Sequence, residues 1–527
     1  MNKTKKIQNI LLEIMKYFFS LFFIVILFNN IFLNKTISID YNPIVLLGSI
    51  LLFYILCMFI YKKYKDGRYK LLNKKISKLK IIIALIIILI IQAFIIYLAC
   101  AKYSWDCGKL VQNAMSFVQN GEPSDVLYFS RFTNNIEVVI IFKYVLTIAN
   151  FFVNITEQNS FIILTIFNAL IVDISALITF LTIRQILGNI RANFSLIFIL
   201  PLIIFSPYIL LPYTDTITMI FPISLLYIYI NIKKNRKIKK ALLIILFGFL
   251  TIMGSYIKPT VLIMTIAIGI IELLNISNNI KEINFIKLKK HISIILLFFL
   301  GIGIGYSIYS CQKNLNFGKF IKDEDYYKNS IPFTHFLMIG MQEDNINNNG
   351  KRTYGAYNNN DYIKTLSTSG YKEKQYLNML VVKDRLNKFG FFGYLKYLYN
   401  KANWILSDGT FFYGFEGSWI EGDYFNTSDI ARTFQRYIKV GTEEYNNVTA
   451  NIMEIAWTLI LLGLVFSFER KNEINISKLA IIGLVIFILL FEGRARYLVN
   501  YIPIFILVGI YGLSNSFKVI DTFFEKK

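Results

Sequence analysis

The chain has 527 residues, of which 55% are hydrophobic and 17% charged, with a formal net charge of +23 and a mean hydropathy of +0.51, which excludes an ordinary soluble protein. The positive excess does not point to nucleic acid, because residues 312–450 are nearly balanced and the surplus Lys and Arg sit in short loops between apolar runs. Cys57, Cys100, Cys107 and Cys311, with only His291 and His335, offer neither a disulfide framework nor the spacing of a zinc or histidine metal centre.

In chain order, a basic start at Lys3, Lys5 and Lys6 leads into an apolar run to Leu33. That run is too long for a cleaved signal core and lacks a small-residue cleavage site, so it reads as a first span. A second span and a strongly basic loop at 62–80 complete a two-span N-terminal extension, residues 1–78. Residues 79–311 read as a transmembrane module with a large loop at 102–159, and 312–450 as a small, mainly α-helical extracytoplasmic domain. Residues 451–527 carry the C-terminal spans. Basic loops at 62–80, 184–193, 233–240 and 281–290 are expected in the cytoplasm, with both termini. The fold class is therefore an all-α polytopic membrane protein with about twelve spans. They fall near 9–33, 44–61, 79–101, 160–183, 194–211, 214–231, 241–257, 259–275, 292–311, 451–468, 477–491 and 497–516. Residues 136–153 are apolar but carry Lys143 in mid-run. Counting them as a span would invert every later basic loop, so they are expected to lie along the outer interface as an amphipathic helix.

Charged residues collect at one expected membrane surface. "YSWDCGKL" brings Trp105 and Asp106 to the exit of the third span, where Asp106 reads either as a helix N-cap or as a chemical carboxylate. "YFSRFTNN" adds Arg131, the Pro-broken "SPYILLPYTDT" adds Tyr213 and Asp215, and "YIKPT" adds Lys258. "FEGRARYLVNYIP" adds Glu492, Arg494 and Arg496, whose arginines also suit snorkelling anchors. Fixed cations at headgroup level suit a phosphate, and a carboxylate beside them suits general-base work on a hydroxyl. Within the spans Asp173 is the deepest acid, with Glu13, Glu272 and Glu454 nearer the ends. A span acid is a functional candidate by default, although Asp173 also suits a hydrogen bond to a neighbouring helix.

This order of spans, an Asp-bearing outer loop, a "PYTD" turn and a late outer domain resembles the GT-C superfamily of membrane glycosyltransferases. The nearest branch is similar to protein O-mannosyltransferases and the lipid A aminoarabinose transferase. "HFLMIGM", "GAYNNNDY" and "SDGTFF" also resemble outer-domain signatures of uncharacterised Gram-positive members. The resemblance implies a polyprenyl-phosphate monosaccharide donor, an extracytoplasmic glycan, glycolipid or protein acceptor, inversion at the anomeric carbon, and no cofactor or metal. It implies Asp106 as the catalytic carboxylate. The adjacent acid common in that family is missing here, since the sequence reads Trp105-Asp106-Cys107, so any second acid must come from elsewhere, and Asp215 is the other candidate catalytic carboxylate at this surface. It places the donor phosphate at Lys258, Arg494, Arg496 or Arg131, with Trp105, Tyr213 and Glu492 lining the site. The competing expectations are a lipid-linked polysaccharide polymerase or flippase, and a non-enzymatic membrane scaffold.

Overall fold

The computed structural model describes residues 3–33, 39, 41–65, 77–278, 285–343, 352–413, 420–468 and 471–525. The long helices are α1 (Lys3–Phe32), α2 (Pro43–Lys65) and α3 (Lys78–Ala99). After α3 come three shorter helices, α4 (Trp105–Asn120), α5 (Val126–Arg131) and α6 (Ile136–Ala149), and then α7 (Glu157–Leu187) and α8 (Asn189–Ile199). The membrane bundle continues with α9 (Ile220–Lys234), α10 (Lys237–Ile257), α11 (Leu262–Asn278) and α12 (Phe285–Phe317). An extramembrane unit follows, built on α13 (Phe333–Ile339), α14 (Asn359–Leu366) and α15 (Tyr371–Leu406), before α16 (Asn451–Val465), α17 (Asn472–Leu490) and α18 (Ile502–Glu525).

Among the described residues, eleven helices are long and apolar enough to cross a membrane. Helices suit that solvent because each satisfies its backbone hydrogen bonds internally. The fifth expected span, 194–211, is instead a shorter apolar segment, Asn189–Ile204, so the count of full-length spans is one below the sequence expectation. Proline explains the difference. Pro201 sits in a π turn over Leu200–Ile204, and Pro207 opens a 3-10 turn over Pro207–Leu210. Neither residue has an N–H to continue an α-helical ladder.

Helix α6 covers most of the segment expected at the interface. Its 14 residues extend about 21 Å, short of the roughly 30 Å hydrocarbon core. It is packed rather than lying free: Ile136 to Ile140, Phe142 and Leu146 are buried against α4, α7 and neighbouring helices. The Lys143 ammonium donates to Asn316 Oδ1 on α12 at 2.5 Å, while Phe151 and Phe152 just beyond the helix stay exposed.

A two-stranded antiparallel ribbon, β1 (Ala101–Tyr103) with β2 (Ile420–Tyr424), pairs Ala101 with Tyr424 and Tyr103 with Ile420. Gln435 Nε2 also donates to Leu98 O at 2.8 Å. These contacts fasten the end of the extramembrane unit to the exit of α3, one turn before Asp106. A second fastening is Lys401 on α15. Its buried ammonium donates to Gly340 O at 2.7 Å, Leu489 O at 3.1 Å and Phe491 O at 2.6 Å, which satisfies all three of its protons.

Candidate functional site

Four separated segments converge where the chain leaves α3, the Pro-broken end of α8, α10 and α17. The first begins with Trp105, whose φ of 56° lies in the left-handed region that bulky residues avoid. That turn starts α4 directly off β1. Gly108 makes the close approach possible, because a Cβ there would overlap Tyr103 O. The cap position of α4 belongs to Ser104, and Asp106 sits in the first turn. Its carboxylate serves two phenols: Tyr128 donates to Oδ1 at 2.8 Å and Tyr213 to Oδ2 at 2.9 Å. Asn135 Nδ2 donates in turn to the Tyr128 hydroxyl at 2.6 Å. The N-cap alternative for Asp106 therefore does not describe this side chain. Burial, and next the charge of Asp106, push both phenols well above their ordinary range, so each stays a donor at neutral pH.

The "SPYILLPYTDT" turn is held from three sides. Asn168 on α7 donates to the carbonyls of Tyr208 and Ile209 at 3.2 and 2.8 Å. The Tyr208 hydroxyl donates to Phe411 O at 2.6 Å, inside the "SDGTFF" segment. Cys107 Sγ contacts Pro212 O at 3.5 Å, which seats the turn against α4. Tyr213 thereby faces Asp106, while Asp215, two residues on, points to the cations. Asp215 is buried, forms an ion pair with Lys258 through Oδ1, and meets Arg496 Nη1 through Oδ2 at 3.8 Å. Burial pulls the Lys258 ammonium below its ordinary value, with Asp215 opposing that shift.

Aromatic rings organise the cations. The Arg496 guanidinium lies 5.2 Å from the Tyr213 ring centre and 5.5 Å from that of Tyr497, and Lys258 Nζ lies 4.6 Å from the Tyr497 ring. The backbone around Lys258 is tied to the start of the last span, because Asn500 donates to Thr260 Oγ1 and the Tyr501 hydroxyl to Thr260 O, both at 3.0 Å. Arg494 turns differently: its Nε donates to Glu492 Oε1 at 3.1 Å.

These groups border a cleft of about 400 Å³ lined by Arg131, Tyr213, Lys258, Glu492, Arg496 and Tyr497 on its polar side, and by Phe333, Phe336, Phe487 and Phe491 on its apolar side. The volume is that of a small-molecule site. Asp106 and Asp215 bond directly to lining residues, Trp105 is exposed at the start of α4, and Arg494 donates to the lining residue Glu492. Arg131 links the cleft to the extramembrane unit: Nη1 donates to the Tyr362 hydroxyl at 3.4 Å, and the Phe132 and Tyr362 rings stack 6.3 Å apart. Thus "GAYNNNDY" and "HFLMIGM" contribute Tyr362 and Phe336 to the site or its rim. Behind them, Asp361 holds Arg385 bidentately at 2.8 and 2.9 Å. His335 is buried, shares a hydrogen bond with Thr365 Oγ1 at 2.7 Å, and is pushed down to about 4 by that burial, so it stays neutral.

Sequence reasoning missed Tyr128 and Tyr497 as site residues. Both stand in segments it had singled out, three residues before Arg131 and one after Arg496, but nothing in the spacing marked a phenol rather than a charge. Each acid noted in the spans has a local partner. Asp173 accepts from Gln92 at 2.9 Å, Glu272 from Tyr229 at 2.5 Å, and Glu454 from Gly409 N at 2.7 Å and Asn30 at 2.5 Å. Glu13 pairs with Lys16 at 2.5 Å. Among the described residues, no group of three or more His, Cys, Asp or Glu side chains gathers as a metal site would.

The chain is similar to two solved structures of ArnT from Cupriavidus metallidurans. With the apo state the identity is 10% and the TM-score 0.31, over 81% of this chain and 78% of that one. With the undecaprenyl phosphate complex the identity is 9% and the TM-score 0.31, over 82% and 78%. No curated protein matches the sequence. Residues 2–517 match the family model described as conserved hypothetical integral membrane protein, and the chain belongs to that family of multi-pass membrane proteins.

Proposed function

We propose that the protein is a membrane glycosyltransferase that moves one sugar from a polyprenyl-phosphate donor to an acceptor hydroxyl on the outer side of the membrane. The observation that carries this reading is the side chain of Tyr213. Its hydroxyl holds a half-buried carboxylate, Asp106, while its ring carries the buried cation Arg496. A candidate base and a candidate anion site thus stand on opposite ends of one residue, at the border of one cleft.

In the proposed reaction the acceptor oxygen attacks the anomeric carbon and the bond from that carbon to the phosphate oxygen breaks. The configuration inverts. Asp106 takes the proton of the acceptor hydroxyl, and the departing phosphate carries the bonding electron pair. Lys258 and Arg496 hold the new charge in a water-poor site, where fixed charges act most strongly. Asp215 serves as their resident counter-ion, a role that suits its burial better than proton abstraction does. The aromatic side of the cleft, Phe333, Phe487 and Phe491, suits the first isoprene units of the donor.

The test is direct. Purified protein in lipid nanodiscs, given radiolabelled polyprenyl-phosphate sugars and a cell-envelope extract as acceptor source, should release free polyprenyl phosphate as label enters the acceptor. A protein that moves such lipids across a bilayer without cleaving them would refute the transferase reading.

A further inference from the structure

The second half of α15 carries an apolar face that the other described residues leave largely exposed. Gly390, at φ 59°, divides this helix into two arms. Beyond it, Phe391, Phe392, Leu395 and Tyr399 fall on one side at helical spacing. They are 73, 81, 48 and 41% exposed, while Tyr397 and Lys401 on the opposite side are buried. Single exposed apolar residues are ordinary, but two phenylalanines, a leucine and a tyrosine in one stripe are not.

The position of the stripe names its partner. The Tyr399 hydroxyl donates to Asn29 Oδ1 at 2.9 Å, and Asn29 Nδ2 donates to Asn403 Oδ1 at 2.7 Å. Asn29 lies in the last turn of α1, a membrane-spanning helix whose Phe28 and Phe32 are also exposed. The stripe therefore continues the lipid-facing belt of α1 around its end. Lys388 and Lys396 flank it, both exposed, where long cationic side chains reach from an apolar layer to headgroups.

We infer that residues 391–399 form an interfacial helix seated in the bilayer at the end of α1, with lipid acyl chains against its aromatic stripe and headgroups at Lys388 and Lys396. The same helix holds the 489–491 backbone through Lys401, so its depth in the lipid sets the height of the extramembrane unit over the cleft.

The experiment uses the full chain in nanodiscs, with Cys311→Ser to remove the one exposed native thiol, the other three cysteines being buried. Phe392→Cys and, in a second variant, Phe391→Cys are labelled with a bimane fluorophore. Tyr376→Cys, 70% exposed on the first arm of the helix, is the water-facing control. Lipids bearing a nitroxide on the acyl chain should quench the labels at 391 and 392 and blue-shifted emission should accompany that quenching, with little effect at 376; aqueous iodide should show the reverse order. Iodide quenching at 392 equal to that at 376, with no response to nitroxide lipid, would overturn the inference. So would a disulfide between two copies at position 392 with no lipid quenching, because the stripe would then be covered by a second copy.

Discussion

Tyr213 donates its hydroxyl to Asp106 Oδ2 at 2.9 Å and lays the face of the same ring under the Arg496 guanidinium. Removing the hydroxyl alone separates the two roles. Tyr213→Phe should keep the fold and the cation contact yet lower the transfer rate about 10- to 100-fold, the worth of a hydrogen bond to a charged group. Tyr213→Leu should lose donor affinity as well. A Tyr213→Phe enzyme with native turnover, measured with labelled donor, would show that the phenol does not orient Asp106.

Asp215 faces two cations in a buried setting, so it should behave as a structural counter-ion. Asp215→Asn should destabilise the protein by about 3–5 kcal/mol, because Lys258 and Arg496 lose their compensating charge. A lipid phosphate that supplies the missing charge should raise the melting temperature of this variant more than that of the wild type. Equal shifts in the two proteins would place the phosphate away from Lys258 and Arg496.

The two arginines of "GRAR" should part company. Arg496→Ala should weaken donor binding by about 2–5 kcal/mol, as loss of one partner of a buried charged contact does. Arg494→Ala should cost much less, because its guanidinium is turned to Glu492. Binding of polyprenyl phosphate by both variants checks this, and equal losses would contradict these side-chain directions.

The difference between these two arginines shows where sequence reasoning stops. The spans are legible because a bilayer demands long apolar runs and cytoplasmic loops collect Lys and Arg. The segments of the site are legible too, since charges beside span ends are costly enough to stand out. Direction is not. Arg494 and Arg496 are two residues apart, and only the 3-10 turn over Ala495–Tyr501 sends one into the cleft and the other to Glu492. Tyr128 was hidden for a similar reason: its contact with Asp106 joins two separate short helices, α4 and α5, and nothing in the spacing shows which side chains they turn toward each other. The shortened fifth apolar segment had a visible cause, Pro201 and Pro207, but hydropathy alone outweighs two prolines in a window of that length.

Orientation follows from the basic loops. The turn at Gly188 between α7 and α8, bracketed by Arg184 and Arg191, should be cytoplasmic. With exposed native cysteine removed, Asn189→Cys should resist a membrane-impermeant maleimide in intact cells and react after permeabilisation. Labelling in intact cells would invert the assigned topology and move the cleft to the other face.

The central claim is that Asp106 accepts a proton. Asp106→Asn preserves the shape of the side chain and leaves Tyr128 and Tyr213 a polar partner, but removes the basic oxygen. The decisive measurement is the single-turnover rate of sugar transfer by Asp106→Asn in nanodiscs, made beside its melting temperature and its affinity for polyprenyl phosphate. The predicted result is a folded protein that still binds the lipid phosphate and transfers about 10²–10⁴-fold more slowly, the usual contribution of a general base. A folded Asp106→Asn protein that transfers at the native rate would contradict the assignment.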